Sequence, residues 1–299
     1  MPLYLKEADV EQVLRPAEVT DALEAIFRER APQQPRQRVN SGPYVLHQLE
    51  AISPELGFAS SKVYLSGPAG VRFLTLLFRL EDCSLAAVLE SARLGQLRTG
   101  CATALAARYL ARKPVTKLAI LGTGTVARGQ LEALRAEVNP SRVAVWSRKP
   151  ESRASFVEWA GDVRDCASAE EAVDGADLVV VATSSARPVL QGAWLGAEGL
   201  LCGVGVNWAA RRELDDEAVR RPGLWVVDSR EQARLEAGDL LQTLNFNIDA
   251  TVELAEVLSS PPPAQAWVGF KSLGVACEDL AAAALAFRLA QQSGLGAGI

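Results

Sequence analysis

The sequence predicts an α/β protein with two units, one built on a doubly wound parallel sheet and the other an α+β unit with an antiparallel sheet. In the first part of the chain, strand-like segments follow one another across short turns, which favours an antiparallel meander. From residue 117 onwards, apolar strand-like segments alternate with helical ones, as a parallel sheet covered by helices requires. We place the units at 1–114 with 276–299 and at 115–275.

The elements of the first unit are predicted from periodicity and turn residues. A helix is predicted over 16–30, because Val19, Leu23 and Phe27 have helical spacing and Pro16 suits a first turn. The segment 31–38, rich in Pro, Gln and Arg, is predicted to be a loop. Strands are predicted at 44–49, 61–65, 71–80 and 85–90, and helices at 99–111 and 276–291.

The second unit carries the strongest functional pattern in the chain. An apolar strand, 117–121, runs into Gly122, Gly124, Thr125, Val126 and Ala127, and a helical segment follows over 128–137. Gly122 permits a tight turn, Gly124 lets backbone amides approach phosphates, and Ala127 keeps the helix close to the strand. These residues are therefore predicted to bind a dinucleotide. The alternative is a helix-capping glycine loop in an ordinary α/β domain. Further strands are predicted at 178–182, 200–204 and 224–227.

The end of the next strand, 142–146, indicates which dinucleotide binds. An NAD site usually places Asp or Glu at this strand end, about twenty residues past the glycines, to bind the ribose 2′-hydroxyl. Here the chain has Ser147, Arg148 and Lys149, and the two cations can neutralise a 2′-phosphate. The sequence therefore favours NADPH over NADH. The alternative is that both cations merely face solvent in a loop.

Composition excludes several other classes of protein. The chain has 299 residues, 49% of them hydrophobic, and a net charge of −5, so no basic face suggests nucleic acid. No apolar segment has the length of a membrane span, and the N-terminus lacks a signal-peptide layout, so we expect a cytoplasmic protein. The five scattered cysteines are expected to be reduced, and the single histidine, His47, is expected to be structural, so no metal site is predicted.

Several motifs, in order and spacing, resemble the ornithine cyclodeaminase/μ-crystallin family. They are residues 98–108, the Gly122 turn, 212–216, 227–229, and 270–274 with 278–279. The resemblance runs from about residue 35 to 287. It implies an NAD(P)-dependent oxidoreductase of CH–NH or C=N bonds with a Rossmann domain in the middle of the chain. It also implies a homodimer whose N-terminal sheets pair, with the substrate between the two domains.

The resemblance also implies a substrate site. In the family, a Pro-Arg pair, a strand lysine and an Arg-Thr at a helix start hold the carboxylate and the amine or imine of an amino-acid-like ligand. The matching residues here are Arg36, Lys62, Arg98 and Thr99, with Arg38 as the alternative to Arg36. These residue types suit the task, because arginine binds carboxylates with two donors and Thr99 would lie near a positive helix end. A lysine with a lowered pKa can pass a proton to nitrogen.

The remaining predicted contacts surround the nicotinamide. Thr183, Ser184 and Gly205 are expected to line the edge of its ribose, and Lys271 and Gly274 are expected to close the far side. Gly274 is also counted with the substrate-binding residues.

At one position, Asn207, the chain differs from the cyclodeaminases after which the family is named. Cyclodeaminases of the family carry Asp there as an acid/base, whereas Asn can orient substrate or water but cannot titrate. This favours NADPH-dependent reduction of Δ1-pyrroline-2-carboxylate or Δ1-piperideine-2-carboxylate to proline or pipecolate, with Lys62 and Asn207 as catalytic residues. The alternatives are ornithine cyclodeamination with NAD, a reaction like that of alanine dehydrogenase, and non-catalytic NADPH binding. No motif identifies the ring size.

Overall fold

The structure is a computed structural model that describes residues 1–299. Its strands are β1 Leu3–Leu5, β2 Gln37–Ser41, β3 Tyr44–Ser53, β4 Phe58–Gly67, β5 Gly70–Arg79, β6 Leu85–Glu90, β7 Lys117–Leu121, β8 Arg142–Trp146, β9 Arg164–Asp165, β10 Leu178–Val181, β11 Gly199–Gly203, β12 Leu224–Val227, β13 Val252–Glu253, β14 Trp267–Lys271 and β15 Ala297–Gly298. Its α-helices are α1 Glu7–Val13, α2 Pro16–Glu29, α3 Ala92–Leu110, α4 Thr125–Glu137, α5 Pro150–Ala160, α6 Ala169–Val173, α7 Asp216–Arg220, α8 Arg230–Glu236, α9 Gly238–Leu241, α10 Leu254–Ser259 and α11 Ala276–Ser293. Two short 3-10 helices lie at Gly192–Trp194 and Ile248–Ala250.

The chain divides into two compact units. Unit 1 comprises residues 1–101 and 274–299, and unit 2 comprises residues 102–273. The first boundary falls inside helix α3, whereas the sequence predicted it after that helix, at 114/115. The C-terminal half of α3 thus belongs to unit 2. No helix in the structure combines the length and the apolar composition that a membrane crossing needs.

Unit 1 is built on a seven-stranded sheet with the order β15-β1-β6-β5-β4-β3-β2. Strands β2 to β6 pair antiparallel in sequence order, so the predicted meander is confirmed. Helix α11 packs against β3 and β4 on one face of this sheet and against α2. The predicted loop over 31–38 is wrong at its end, because Gln37 and Arg38 pair with β3 as part of β2. That strand is polar, so it lacks the apolar alternation by which strands are recognised.

Helix α3 starts earlier than the sequence predicted. It begins at Ala92 instead of residue 99, and its first two turns bury Leu94 and Leu97 among polar residues and Gly95. Thr99 is therefore the eighth residue of the helix, and its hydroxyl donates a hydrogen bond to the carbonyl of Gly95 at 2.7 Å. The expectation that Thr99 lies at a helix start is wrong, and the attraction of a helix N-terminus does not act there.

Unit 2 is built on an eight-stranded parallel sheet with the order β13-β12-β14-β11-β10-β7-β8-β9. The predicted α/β class with a doubly wound parallel sheet is confirmed. Strand β7 has β8 on one side and β10 on the other, so the chain reverses its direction of winding at β7. In such sheets, ligands bind at the carboxyl ends of the strands beside this reversal. The glycine turn after β7 lies at that point.

Candidate functional site

Five buried charged side chains form one cluster in unit 1. Its members are Arg36, Lys62, Arg98, Glu278 and Asp279, with exposed fractions of 7%, 3%, 5%, 0% and 1%. Lys62 comes from β4 and Arg98 from α3, and Glu278 and Asp279 lie in the first turn of α11. The start of α11 thus brings two acids to the face of the sheet that carries the predicted cations. We call this set the carboxylate cluster.

Ion pairs connect Lys62 and Arg98 with Glu278 and Asp279. Asp279 Oδ1 accepts hydrogen bonds from Lys62 Nζ at 2.8 Å and from Arg98 Nε at 2.9 Å. Glu278 Oε2 accepts from Arg98 Nη1 at 2.6 Å. Arg36 Nη2 donates to the carbonyl of Gly274 at 2.7 Å. Removing one partner of such a buried pair typically costs about 3–5 kcal/mol, since the other charge is left buried and uncompensated.

The cluster contains one more cation than carboxylates. Three of its members are cations and two are acids. Burial lowers the pKa of Lys62 to about 8 against the attraction of Asp279, so its ammonium form still predominates at pH 7. Burial alone would raise the pKa of Asp279, but Arg98 and Lys62 hold it below its usual range. Lys62 and Asp279 therefore form a charged pair near neutral pH.

Glycine at position 274 is required by Arg98. Gly274 has a φ of +73°, and a Cβ there would lie 2.6 Å from Arg98 Nη1. Of the two candidate arginines, Arg36 is the one whose guanidinium binds Gly274, whereas Arg38 lies on β2 opposite His47. Any side chain at 274 would therefore displace the guanidinium that binds both acids.

In unit 2, the glycine turn leaves the start of α4 open. Gly122 has a φ of +124°, and a Cβ there would lie 2.2 Å from the carbonyl oxygen of Ala182, so only glycine fits. A Cβ at Gly124 would meet nothing within 4 Å, and Thr125 and Val126 in the first turn of α4 are exposed. Ala127 is fully buried. An exposed helix start behind a glycine turn presents unpaired backbone amides, which fits a pyrophosphate.

The residues predicted to bind the 2′-phosphate adjoin this turn. The amide of Gly122 donates to the carbonyl of Trp146 at 2.8 Å, and Thr123 Oγ1 donates to Ser147 Oγ at 3.0 Å. Arg148 and Lys149 follow and are exposed. The end of β8 therefore presents two cations beside the open turn, which fits a phosphate on the adenosine ribose.

The residues predicted to contact the nicotinamide differ in how exposed they are. Gly205 packs on the turn after β10, since a Cβ there would lie 2.2 Å from the carbonyl oxygen of Thr183, and Ser184 beside it is exposed. Asn207 is half-buried in the loop after β11. Lys271, in contrast, has no exposed surface, and its Nζ pairs with Asp239 Oδ2 at 2.8 Å. The prediction that Lys271 contacts the cofactor is not supported by this placement.

One buried acid of unit 2 was missed by the sequence analysis. Glu213 Oε1 accepts hydrogen bonds from both the amide and the hydroxyl of Thr183, each at 2.6 Å, while its Oε2 is buried without a partner. The amide of Glu213 donates to Asp239 Oδ1 at 2.6 Å. The pKa of Glu213 is raised to about 8. Burial is the largest cause, and the charge of Asp239 also raises the pKa, whereas the charge of Lys271 lowers it. Glu213 thus fixes the turn after β10, and the 212–216 motif was the only signal for it.

The remaining histidine, cysteine and acidic residues show no metal-binding group. No group of three or more His, Cys, Asp or Glu side chains could hold a metal ion. All five cysteines are free thiols, four of them buried. His47 stacks on Tyr64 on the inner face of the unit 1 sheet, the face that α11 covers in part.

Comparison with known proteins adds three relatives and one family. The sequence profile of the ornithine cyclodeaminase/mu-crystallin family matches residues 4–293. Ketimine reductase mu-crystallin of Mus musculus is 38% identical over 215 residues, which are 71% of this chain and 67% of that protein. The structure of Thermococcus litoralis Δ1-pyrroline-2-carboxylate reductase in complex with NADH and L-proline has 27% identity and a TM-score of 0.93, covering 99% of this chain and 100% of that one. An archaeal alanine dehydrogenase dimer with bound NAD has 26% identity and a TM-score of 0.92, covering 100% and 98%.

We expect Glu213 to make stability depend on pH. Its folded pKa of about 8 lies above its ordinary value of 4.5, so its contribution is fully present below pH 4.5 and is lost as the pH rises through 8. The slope is at most about 1.4 kcal/mol per pH unit. Glu213→Gln keeps an acceptor for Thr183 but cannot titrate, so its free energy of unfolding should fall less steeply between pH 5 and 8 than that of the wild type. Denaturant titrations at several pH values measure this.

The matched control is Glu158→Gln, which removes an exposed carboxylate from α5. It should keep the wild-type slope. Equal slopes for the wild type and Glu213→Gln would contradict the role assigned to Glu213.

Proposed function

Because the chain belongs to the ornithine cyclodeaminase/mu-crystallin family and is an oxidoreductase of C=N or CH–NH bonds, we propose that it reduces cyclic α-imino acids with NADPH. The substrates are Δ1-pyrroline-2-carboxylate or Δ1-piperideine-2-carboxylate, and the products are proline or pipecolate. The observation that carries this proposal is the carboxylate cluster, whose cations exceed its acids by one. A relative with the activity of a Δ1-pyrroline-2-carboxylate reductase, solved with NADH and L-proline, supports the reaction class.

The carboxylate cluster holds the substrate by its carboxylate. Arg36 and Arg98 offer forked donors, and the ion pairs of Arg98 with Glu278 and Asp279 fix the orientation of its guanidinium before substrate arrives. Such preorganisation lowers the entropic cost of binding. The hydroxyl of Thr99 donates to Gly95, so Thr99 offers the substrate an oxygen lone pair.

Lys62 controls the proton on the substrate nitrogen. Reduction of an imine adds a hydride to carbon and a proton to nitrogen, and the bound nicotinamide supplies the hydride. The pKa of Lys62, lowered by burial to about 8, lets its ammonium give up a proton near neutral pH more readily than an exposed lysine would. Asp279, bonded to the same Nζ at 2.8 Å, orients it and stabilises its charged form.

Asn207 favours reduction over cyclodeamination. Cyclisation of ornithine with loss of ammonia needs a group that takes and returns protons, and an amide side chain cannot titrate. Asn207 instead orients the substrate or a water molecule through its amide.

The cofactor assignment rests on the exposed end of β8. The first turn of α4 with Gly122 and Gly124 would hold the pyrophosphate, and Arg148 and Lys149 would hold the 2′-phosphate of NADPH. Thr183, Ser184 and Gly205 would line the edge of the nicotinamide ribose. The two relatives solved with NADH and NAD make NADH the alternative cofactor.

We also propose a homodimer formed through the outer face of the unit 1 sheet, the face away from α11. This face exposes Val39, Leu46, Leu65 and Leu74, with exposed fractions of 69%, 44%, 50% and 42%. Val39 pairs with Leu46, and Leu46 with Leu65, so these side chains form a continuous apolar row across three strands. Exposed apolar rows of this kind mark protein interfaces, and the archaeal alanine dehydrogenase is a dimer.

Sedimentation equilibrium tests the homodimer. We expect a mass of twice 31.9 kDa at micromolar concentration. The double variant Leu46→Asp/Leu65→Asp should give the monomer mass, since facing carboxylates would be buried without partners. A monomeric wild type would contradict the proposed interface.

The reaction is tested by following the oxidation of NADPH, and separately of NADH, at 340 nm with Δ1-pyrroline-2-carboxylate. We expect turnover that favours NADPH. Ammonia release from ornithine without net cofactor turnover would instead indicate cyclodeamination. Turnover only with ammonia and an open-chain keto acid would indicate an amino-acid dehydrogenase. Cofactor binding without any turnover would indicate a binding protein.

The cofactor preference is tested with the double variant Arg148→Ala/Lys149→Ala. Loss of two cations facing a 2′-phosphate should raise the KM for NADPH by at least about tenfold, since hydrogen bonds to charged groups contribute about 1.5–3 kcal/mol each. The KM for NADH should change by less than about twofold. Arg164→Ala, which removes another exposed arginine of unit 2, is the control. An equal change in both KM values would contradict the 2′-phosphate assignment.

A further inference from the structure

We propose that three contacting rings of unit 1, those of His47, Tyr64 and Phe73, form a wall that limits the size of the substrate side chain beside the carboxylate cluster. This inference rests on the proposed function and deepens it, because it names the residues that select the ring size. We call these three residues the ring wall.

The strand register places the ring wall next to Lys62. His47 on β3 is the direct partner of Tyr64 on β4, and Tyr64 is the direct partner of Phe73 on β5. Direct partners in a sheet point to the same face about 5 Å apart. Lys62 precedes Tyr64 by two residues on β4, so it lies in the adjacent row on that face. The ring wall therefore runs parallel to the row that carries the cluster's lysine.

Packing makes the ring wall rigid. The rings of His47 and Tyr64 stack with centroids 4.1 Å apart and planes 8° apart, and the rings of Tyr64 and Phe73 lie 4.8 Å apart. His47 Nε2 lies within hydrogen-bonding distance of Ser66 Oγ, at 3.3 Å. Each ring thus restricts the rotamers of its neighbour. Displacing the wall for a larger ligand would therefore cost packing energy.

Two rings of the wall lie close to the Lys62 ammonium and are partly exposed, whereas His47 is buried. Lys62 Nζ lies 5.9 Å from the centroid of Tyr64 and 5.3 Å from that of Phe73. Tyr64 and Phe73 remain partly exposed, whereas Lys62 is buried. Burial, with help from Arg38 and Arg36, lowers the pKa of His47 to about 4, so the wall is uncharged near neutral pH. An uncharged aromatic surface suits the methylene groups of a cyclic imino acid.

The position of the ring wall beside Lys62 explains how it would select the ring size of the substrate. Arg36, Lys62 and Arg98 fix the carboxylate and nitrogen of the substrate, so its ring methylenes extend from a fixed point. A rigid wall beside that point penalises each added methylene, and one methylene in an apolar pocket changes specificity by about 10–200-fold. We therefore expect the wild type to prefer the five-membered imine over the six-membered one.

The test compares kcat/KM for Δ1-pyrroline-2-carboxylate and Δ1-piperideine-2-carboxylate in the wild type and four variants. Tyr64→Val and Phe73→Ala remove ring volume and should raise the six-to-five ratio by about tenfold. Tyr64→Phe keeps the ring and should therefore keep the wild-type ratio. A change in the ratio that appears only when ring volume is removed cannot come from a general loss of stability. Phe58→Leu is the matched control, because it lies on the same strand but packs on Phe287 under α11.

A parallel binding experiment separates failure of the wall from failure of the proposed reaction. Calorimetry with L-proline and L-pipecolate gives the ratio of their Kd values for the same five proteins, whether or not any imine is reduced. A ratio that shifts toward L-pipecolate in Tyr64→Val and Phe73→Ala, and not in Tyr64→Phe or Phe58→Leu, supports the wall. An unchanged ratio in the two truncated variants, or no binding of either amino acid to the wild type, would overturn it.

Discussion

The ion pairs between the start of α11 and the buried cations Lys62 and Arg98 are the interactions on which the proposed substrate site depends. Lys62 and Arg98 are buried, and a buried cation persists only with a partner. Asp279 and Glu278 provide those partners because α11 begins at Ala276, two residues after Gly274, whose position suits only glycine beside Arg98. The helix start and the glycine thus both serve the pairing of Lys62 and Arg98 with these acids.

Unit 2 also contains a buried cation that is paired with an acid. Lys271 and Asp239 pair fully buried, and Glu213 beside them bonds the amide and hydroxyl of Thr183. A second full negative charge there would exceed the single lysine, and the pKa of Glu213 is accordingly raised, chiefly by burial. The acid that orders the turn after β10 is therefore neutral over much of the physiological range.

Local patterns in the sequence were sufficient to predict part of the fold and part of the candidate site. The Gly122 turn and the parallel strands around it were predictable, because turn chemistry and apolar runs are properties of neighbouring residues. The start of α3 was not, since its first turns are polar and only tertiary packing buries Leu94 and Leu97. The partners of Arg98, and the role of Glu213, were also not predictable from spacing alone, because they join residues 180 and 30 positions apart. The resemblance supplied Arg36, Lys62 and Arg98, and it supplied no role for Glu278.

We propose that a substrate carboxylate binds the cations of the carboxylate cluster, which outnumber its acids by one. The most direct measurement is the affinity of L-proline for the wild type, for Arg36→Gln and for Arg38→Gln, by calorimetry in the presence of NADP⁺. Arg36 belongs to the cluster, whereas Arg38, two residues away, lies opposite His47. We expect Arg36→Gln to weaken binding by at least about tenfold, since a hydrogen bond to a charged group contributes about 1.5–3 kcal/mol. Arg38→Gln should change the affinity by less than about threefold. Equal affinities for the wild type and Arg36→Gln would contradict this proposal.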